Sequence, residues 1–309
     1  MLPHFGFDQI RIGANMKRIV IAVCALGMSC VVSTVFAEAG PKINEAIAKM
    51  KCVTPKQPRK VLLYSRTKGF RHRSIPVGIL ALTELGKKTG AFSVEATEDP
   101  AAFTTENLAR FDGIIMLNTT GDAIPRGAAR EALETYLQGD KGLIGIHAAT
   151  DCHADWENYR EAMGGLFNGH PWNAGSLVTL FNEEPDHPIC KHIETGYQIK
   201  DEIYQFKDDK HFTRDKLRML LSLDLSGENM KKGGMKRKDH DYAVSWVRKY
   251  GGSRVFYSSL GHNDFTYYNV KALQHYLNGI QFALGDLEAD ARPSAAVGNG
   301  TARPLPAGF

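Results

Sequence analysis

Short apolar runs alternate with amphipathic stretches through the centre of the chain. Residues 61–64, 113–117 and 142–148 are almost wholly apolar. Such runs are typical of parallel strands that are covered on both faces. A further strand is predicted at 92–97, where apolar and polar side chains alternate.

Helical periodicity fills the gaps between these strands. Ser74 can cap a helix that places three large apolar residues on one side and stops at Gly90. Residues 126–138 form a second amphipathic stretch. A chain that runs strand, helix, strand, helix, strand favours parallel pairing with right-handed crossovers.

The second half adds strands predicted at 217–223, 242–250 and 254–260. The Gly-Gly pair at 251–252 is typical of a hairpin turn between the last two. A closing helix is predicted at 271–284, where large apolar residues form one stripe. We therefore expect an α/β fold with an open, mostly parallel sheet and helices on both faces.

Residues 1–37 have the pattern of a cleaved signal peptide. Lys17 and Arg18 precede an apolar stretch, and Val35-Phe36-Ala37 offers small residues at the positions that a signal peptidase reads. A membrane anchor is the alternative, but the apolar run of about 17 residues is at the lower limit for spanning a bilayer. We expect a periplasmic or secreted protein with no stable membrane anchor after cleavage.

The rest of the chain divides into three parts. Residues 38–58 are predicted to be an exposed lead-in, and 59–285 one large α/β domain. Residues 286–309 are rich in Ala, Gly and Pro and have few large apolar side chains. Because such a composition buries too little surface to offset chain entropy, we expect a disordered tail.

Charge and cysteine content limit the partners. The formal net charge of the chain is only +4, which argues against nucleic acid or an anionic membrane as the main partner. Cys52, Cys152 and Cys190 follow the predicted leader, so an oxidising compartment permits at most one intramolecular disulfide. The pattern does not select a pair, and it does not predict the oligomeric state.

Polar segments follow four of the predicted strands. They are residues 67–72, 118–122, 147–151 and 261–264, and they are rich in His, Asp, Asn and Thr. In open α/β sheets, ligands bind beyond the carboxyl ends of the strands. The convergence of these segments at one edge predicts a functional site there.

His147 is the central candidate of this site. It lies at a sharp strand-to-helix junction and is suited to be a general base, a metal ligand or a hydrogen-bond donor to a sugar. A structural histidine tied to a neighbouring strand is the alternative. Asp151 is a candidate to orient His147 or to ligate a metal, and it could equally cap the next helix.

Eight further residues are predicted to line the site or bind substrate. Arg71 and His72 form a donor pair for an anion or a hydroxyl, and Trp172 is a candidate sugar-stacking platform or a core residue. Glu202, expected at the start of a short strand, is a candidate acid or base. The remaining expected contacts come from Asn118, His170, His262 and Asp264.

A metal site is a further hypothesis. His147, His170 and His262 are suitable ligands for a divalent metal together with a carboxylate. No tight ligand spacing supports this, so it depends on the predicted convergence alone. The chain also has no glycine-rich phosphate signature and no Gly-x-Ser-x-Gly elbow, which argues against nucleotide binding and serine hydrolysis.

Five separated motifs resemble the trehalose-utilisation (ThuA-like) family over about residues 59–285. They are Gly-Phe-Arg-His-x-Ser-Ile-Pro at 69–76, Gly-Ile-His-Ala-Ala-Thr-Asp at 145–151, Gly-Gly-x-Phe-x-x-His-Pro-Trp at 164–172, Asp-Glu-Ile-Tyr at 201–204 and Ser-Leu-Gly-His at 259–262. The resemblance implies a flavodoxin-like fold of the class I glutamine amidotransferase type. It also implies a role with trehalose, related disaccharides or their keto forms.

The chain departs from the amidotransferases at one position. Those enzymes carry a nucleophilic cysteine at the elbow that His147 occupies here, and Cys152 lies five residues further on. Because an imidazole does not replace a thiolate in acyl transfer, amidotransferase chemistry is not expected. Three hypotheses stay open: an enzyme acting on a sugar or keto-sugar, a non-catalytic carbohydrate-binding module, and a metal-dependent hydrolase of another small molecule.

Overall fold

A computed structural model describes residues 28–207, 210–307 and 309. Most of the predicted signal peptide therefore lies outside the described residues. The helices are α1 Met28–Ile47, α2 Ile75–Thr89, α3 Thr105–Leu108, α4 Ala128–Gln138, α5 Glu157–Met163 and α6 Val270–Ala283. The strands are β1 Lys60–Tyr64, β2 Ser93–Thr97, β3 Gly113–Leu117, β4 Gly142–Ile146, β5 Leu177–Asn182, β6 Tyr197–Lys200, β7 Arg218–Leu223, β8 Ala243–Tyr250 and β9 Ser253–Ser258.

The nine strands form one sheet in the order β2-β1-β3-β4-β9-β8-β7-β5-β6. The neighbours from β2 to β9 pair in parallel, and those from β9 to β6 pair antiparallel. The predicted α/β fold is confirmed, and so is the hairpin between β8 and β9. The pattern did not predict β5 and β6, which lie at one end of the sheet.

Helices cover both faces of this sheet. Alternate strand residues point to opposite sides: Leu63 and Ile115 join the apolar core under α1, α2 and α6, whereas Leu62 and Ile114 join the core under α3, α4 and α5. Because both faces are covered, the central strands β3 and β4 are continuous apolar runs, and the polar residues that follow them lie beyond the strand ends.

The predicted exposed lead-in, residues 38–58, is wrong over 38–47, which form a packed helix, whereas residues 48–58 lie outside any helix and are mostly exposed. α1 extends across the expected cleavage point, and its residues Ala39, Ile43, Ala46 and Ile47 are buried against the domain. These positions form one helical face. Among the described residues, no helix is long and apolar enough to cross a membrane.

The carboxy-terminal segment differs from the disordered tail that its composition predicts. Asp286 is paired with Arg59, with an oxygen–nitrogen distance of 2.7 Å. Ser294 is fully buried, and its hydroxyl accepts a hydrogen bond from the amide of Met219. Asn299 donates to the Glu183 carboxylate. Polar contacts thus attach this segment to the domain, although it has few large apolar side chains.

Candidate functional site

Four adjacent parallel strands, β1, β3, β4 and β9, end at the same edge of the sheet. The loops that follow them carry His72, Asn118, His147 and His262. The structure thus brings together one residue from each of the four predicted polar segments. The sheet order explains this, because parallel neighbours present their carboxyl ends side by side.

His147 follows directly on β4 and has a backbone φ of 50°. This left-handed conformation is uncommon outside glycine and is found at tight functional turns. Its ring is fully buried, and Nδ1 lies 2.7 Å from the carbonyl oxygen of Ser259. Since a carbonyl only accepts, Nδ1 carries the proton, and Nε2 of the neutral ring presents a lone pair.

Four side chains form what we call the histidine–glutamate cluster: His72, His147, Glu202 and His262. One ring nitrogen of each histidine and one carboxylate oxygen of Glu202 all lie within 4.8 Å of one another. Glu202 Oε1 is 3.2 Å from His262 Nδ1 and 3.7 Å from His147 Nε2. The cluster therefore surrounds one small volume at the edge of the sheet.

Asp201 fixes two parts of this cluster in place. Its buried carboxylate accepts hydrogen bonds from the amides of Gly261 and Asn263 and from the hydroxyl of Thr266, at 2.7, 3.1 and 2.9 Å. It also accepts from the amide of Glu202 at 3.0 Å. One side chain thus joins the segment that carries Glu202 to the loop that carries His262.

Gly261 is required at the start of that loop. Its φ is +131°, and a Cβ on it would lie 2.8 Å from the hydroxyl of Tyr267. Only glycine adopts this conformation without strain. Together with Asp201, it sets the direction in which His262 leaves β9.

Burial separates the pKa values of the three histidines. Burial lowers the pKa of His72 to about 4, and it holds the pKa of His147 well below its usual value. Burial also acts to lower the pKa of His262, but the neighbouring Glu202 carboxylate more than offsets this, so that pKa is raised. At neutral pH the rings of His72 and His147 are therefore uncharged.

Asp151 is not the group that orients His147. The ring of His147 is oriented by the Ser259 carbonyl rather than by Asp151. Burial raises the pKa of Asp151 to about 6, and the nearby His170 acts against that rise. A carboxyl group with such a pKa exchanges protons readily near neutral pH.

Trp172 is not a stacking platform. It is fully buried, its Nε1 donates to the carbonyl of Met230 at 3.0 Å, and its ring packs against Tyr242. The prediction of a sugar-stacking role is therefore wrong, and the core alternative holds. A single tryptophan in an irregular segment carries no periodicity that would have distinguished the two.

The other predicted residues lie at varying distances from the cluster. His170 is half-exposed, with Nδ1 3.4 Å from Glu202 Oε2. Asn118 is buried and donates to Ser74 Oγ and to the carbonyl of Gly261. It therefore links the loop after β3 to the loops after β1 and β9. Outside the cluster, Arg71 pairs with Glu98, and Asp264 lies 3.8 Å from Arg73.

Phe70 is a residue of the site that sequence reasoning missed. It is 64% exposed, and its ring centroid lies 4.8 Å from that of His72 and 6.5 Å from that of His262. An exposed aromatic ring beside a polar cluster is a natural stacking surface. The available signal was a large apolar residue between Gly69 and Arg71 in a polar loop.

The three cysteines whose side chains the structure describes do not contribute to the cluster. Cys52, Cys152 and Cys190 are free, and Cys152 is buried. Burial raises the pKa of the Cys152 thiol, which keeps it protonated and inert.

Comparison with known proteins gives a consistent result. A family model described as ThuA, trehalose utilisation, matches residues 60–283. A ThuA-like protein from Bacteroides uniformis has a similar structure, with a TM-score of 0.59, 22% identity and coverage of 74% of this chain and 93% of that one.

A second ThuA-like protein, from Parabacteroides merdae, aligns with a TM-score of 0.58 at 18% identity, over 76% of this chain and 93% of its own. At these identities the likeness demonstrates a shared fold. No curated protein sequence matches the chain significantly.

Proposed function

Since this chain belongs to the ThuA, trehalose-utilisation, family, we propose that it is an enzyme acting on a disaccharide or on its oxidised (keto) form. The observation that carries the proposal is the histidine–glutamate cluster, in which four side chains from distant parts of the chain face one volume. Fold and family alone do not define a reaction, so the chemistry is argued from these side chains.

The cluster suits a neutral polyol. The lone pair of His147 Nε2 and the oxygens of Glu202 are acceptors, and sugar hydroxyls are donors that match them. Half-exposed His170 and the exposed ring of Phe70 border the cluster on the solvent side. A sugar ring stacked on Phe70 would direct its hydroxyls to the buried acceptors.

Asp151 is the proposed proton-transfer group. In a keto-sugar, the carbonyl acidifies the hydrogen on the neighbouring carbon, and a carboxylate near the sugar removes it. A pKa of about 6 leaves Asp151 mostly ionised at pH 7 and yet basic for a carboxylate. The reaction class is elimination or isomerisation of a keto-sugar rather than acyl transfer.

Turnover of defined sugars tests the proposal. Purified protein is incubated with trehalose and with its mono-keto derivative, and the products are followed by NMR. Asp151→Asn is expected to lower kcat by about 10²–10⁴-fold, while the exposed Asp140→Asn, which loses only an ion pair with Arg254, serves as the matched control. Full activity of Asp151→Asn would refute the assigned role.

Binding without turnover would decide against an enzyme. If calorimetry detects binding of the disaccharide but no product forms from either sugar, the non-catalytic carbohydrate-binding module is the better description.

Export is proposed along with the activity, because the predicted leader precedes the domain. Sequencing of the mature amino terminus tests it, with Glu38 as the expected first residue.

A further inference from the structure

We propose that the histidine–glutamate cluster binds a divalent transition-metal ion, best matched by zinc, through His72, His147, Glu202 and His262. This inference deepens the proposed function, because the ion would lie where the sugar is proposed to bind. It rests on the positions and hydrogen-bond partners of the four side chains.

The spacing of the donor atoms is close to that of a metal site. Zinc binds histidine nitrogen and carboxylate oxygen at about 2.0–2.2 Å, which places tetrahedral donors about 3.4 Å apart. Two separations in the cluster, 3.2 and 3.7 Å, already lie near this value. The largest, 4.8 Å, closes with side-chain shifts of about 1 Å.

The nitrogens that would bind the ion have no other partner. Within the described chain, His72 Nδ1 and His147 Nε2 are buried and make no hydrogen bond, and His262 Nδ1 lies 3.2 Å from Glu202 Oε1, another member of the cluster. An unsatisfied buried polar atom costs about 1–3 kcal/mol, so two at one place need a physical reason. A single cation would satisfy both and would also bind His262 Nδ1.

The position of His147 is typical of a ligand. Its Nδ1 donates to the Ser259 carbonyl, so the ring orientation is fixed and the Nε2 lone pair faces the cluster. Metal-binding histidines are usually held in this way by a backbone carbonyl or a carboxylate. The loop that carries His262 is held through Asp201 in a comparable manner.

The donor types select the metal. Three imidazoles and one carboxylate match zinc and other late first-row metals, whereas calcium and magnesium prefer oxygen ligands throughout. The cluster also consists mainly of acceptors, which repel the negative oxygen that forms when a keto-sugar loses a proton. A cation in the cluster would reverse that local field.

Metal binding can be measured without any substrate. Tag-free, chelator-treated protein is titrated with Zn²⁺ by calorimetry and with Co²⁺ by visible absorption. We expect about one ion per chain and d–d bands of a low-coordinate site. His72→Ala, His262→Ala and the conservative Glu202→Gln should each weaken binding by at least about 100-fold.

Two histidine variants are the matched controls. His170→Ala removes the ring beside the other Glu202 oxygen, and His240→Asn removes a histidine outside the cluster at a φ of 54° that asparagine tolerates. Both should keep one ion per chain. Loss of binding in His170→Ala as large as in His72→Ala would overturn the assigned ligands.

The metal proposal and the proposed function can be refuted independently. Sugar turnover by a protein that binds no zinc overturns the metal proposal alone. One bound ion per chain in a protein that leaves every sugar unchanged overturns the proposed function alone. Thermal unfolding of each variant in chelator shows whether a lost site reflects lost folding.

Discussion

Phe70 combines exposure with closeness to the cluster, and this makes it the clearest single residue to test. We expect Phe70→Ala to raise KM for the disaccharide by about 3–10-fold with little change in kcat, because stacking contributes about 0.5–1.5 kcal/mol to binding. Phe70→Tyr should retain the wild-type KM. Steady-state kinetics measures both, and a fall in kcat with unchanged KM would contradict a platform role.

Asp201 is a positioning residue whose carboxylate accepts four hydrogen bonds. Asp201→Asn places an amide donor against backbone donors, which should loosen both Glu202 and the loop of His262. We expect the affinity for Zn²⁺ to fall by about 10–100-fold and the free energy of unfolding to drop by about 1–3 kcal/mol.

Two readouts separate positioning from simple destabilisation in Asp201→Asn. Calorimetric titration with Zn²⁺ is compared with urea unfolding, and Asp140→Asn is the surface control. A variant that is less stable but binds Zn²⁺ with wild-type affinity would show that Asp201 serves the fold and not the site. The sequence offered Asp201 and Glu202 as adjacent carboxylates, but only the structure assigns them different partners.

At the level of elements, the regular part of the chain was the part that could be predicted. Apolar runs located β1, β3 and β4, and parallel pairing then brought His72, Asn118 and His147 to one edge. Glu202 was expected at the start of a strand, whereas it lies in an irregular segment after β6. Isolated bridges pair this segment with residues 167 and 172, which lie 39 and 31 positions before their partners at 206 and 203, and no local pattern encodes such pairing.

The packing of helix α1 on the domain can be tested by substitution. Ile43 of this helix is fully buried. Ile43→Ala should therefore lower the free energy of unfolding by about 2–4 kcal/mol, because apolar burial is lost and a cavity is left. Asn44→Ala, one residue on and exposed, should stay within about 0.5 kcal/mol of wild type. Urea unfolding of the chain beginning at Glu38 measures both.

Equal effects of the two substitutions would show that residues 38–47 do not pack on the domain in the chain that begins at Glu38. A larger loss for Ile43→Ala would show that residues 38–47 belong to the folded unit even in a chain that begins at Glu38. The composition of the lead-in gave no sign of this, because small residues such as Ala39 and Ala46 only form a buried face once α2 is beside them.

For the whole molecule, the site lies where the two halves of the sheet meet. β9 is the last parallel strand and also the first partner of the antiparallel half. His147 and His262 come from the parallel side, and Glu202 reaches them from the segment after the antiparallel β6. A site assembled from both halves requires the complete sheet, which is consistent with one domain rather than two.

Buried neutral histidines should make this domain sensitive to acid. Burial lowers the pKa of His153 and of His275, both outside the cluster, to about 3. An unfolded histidine has a pKa of about 6.5, so below that pH the unfolded chain binds protons that the folded chain rejects. The stability from these groups is complete above about pH 6.5 and is lost as the pH falls toward 3.

Each such histidine should therefore lower the free energy of unfolding by about 1.4 kcal/mol per pH unit below pH 6.5. Urea unfolding in metal-free buffer between pH 7 and pH 5 measures the slope. Asparagine tolerates the φ of 53° at position 153. His153→Asn should therefore reduce the slope by about 1.4 kcal/mol per pH unit, which is the contribution of one bound proton. An unchanged slope would mean that His153 is protonated in the folded protein, and the neutral buried ring described here would then be wrong.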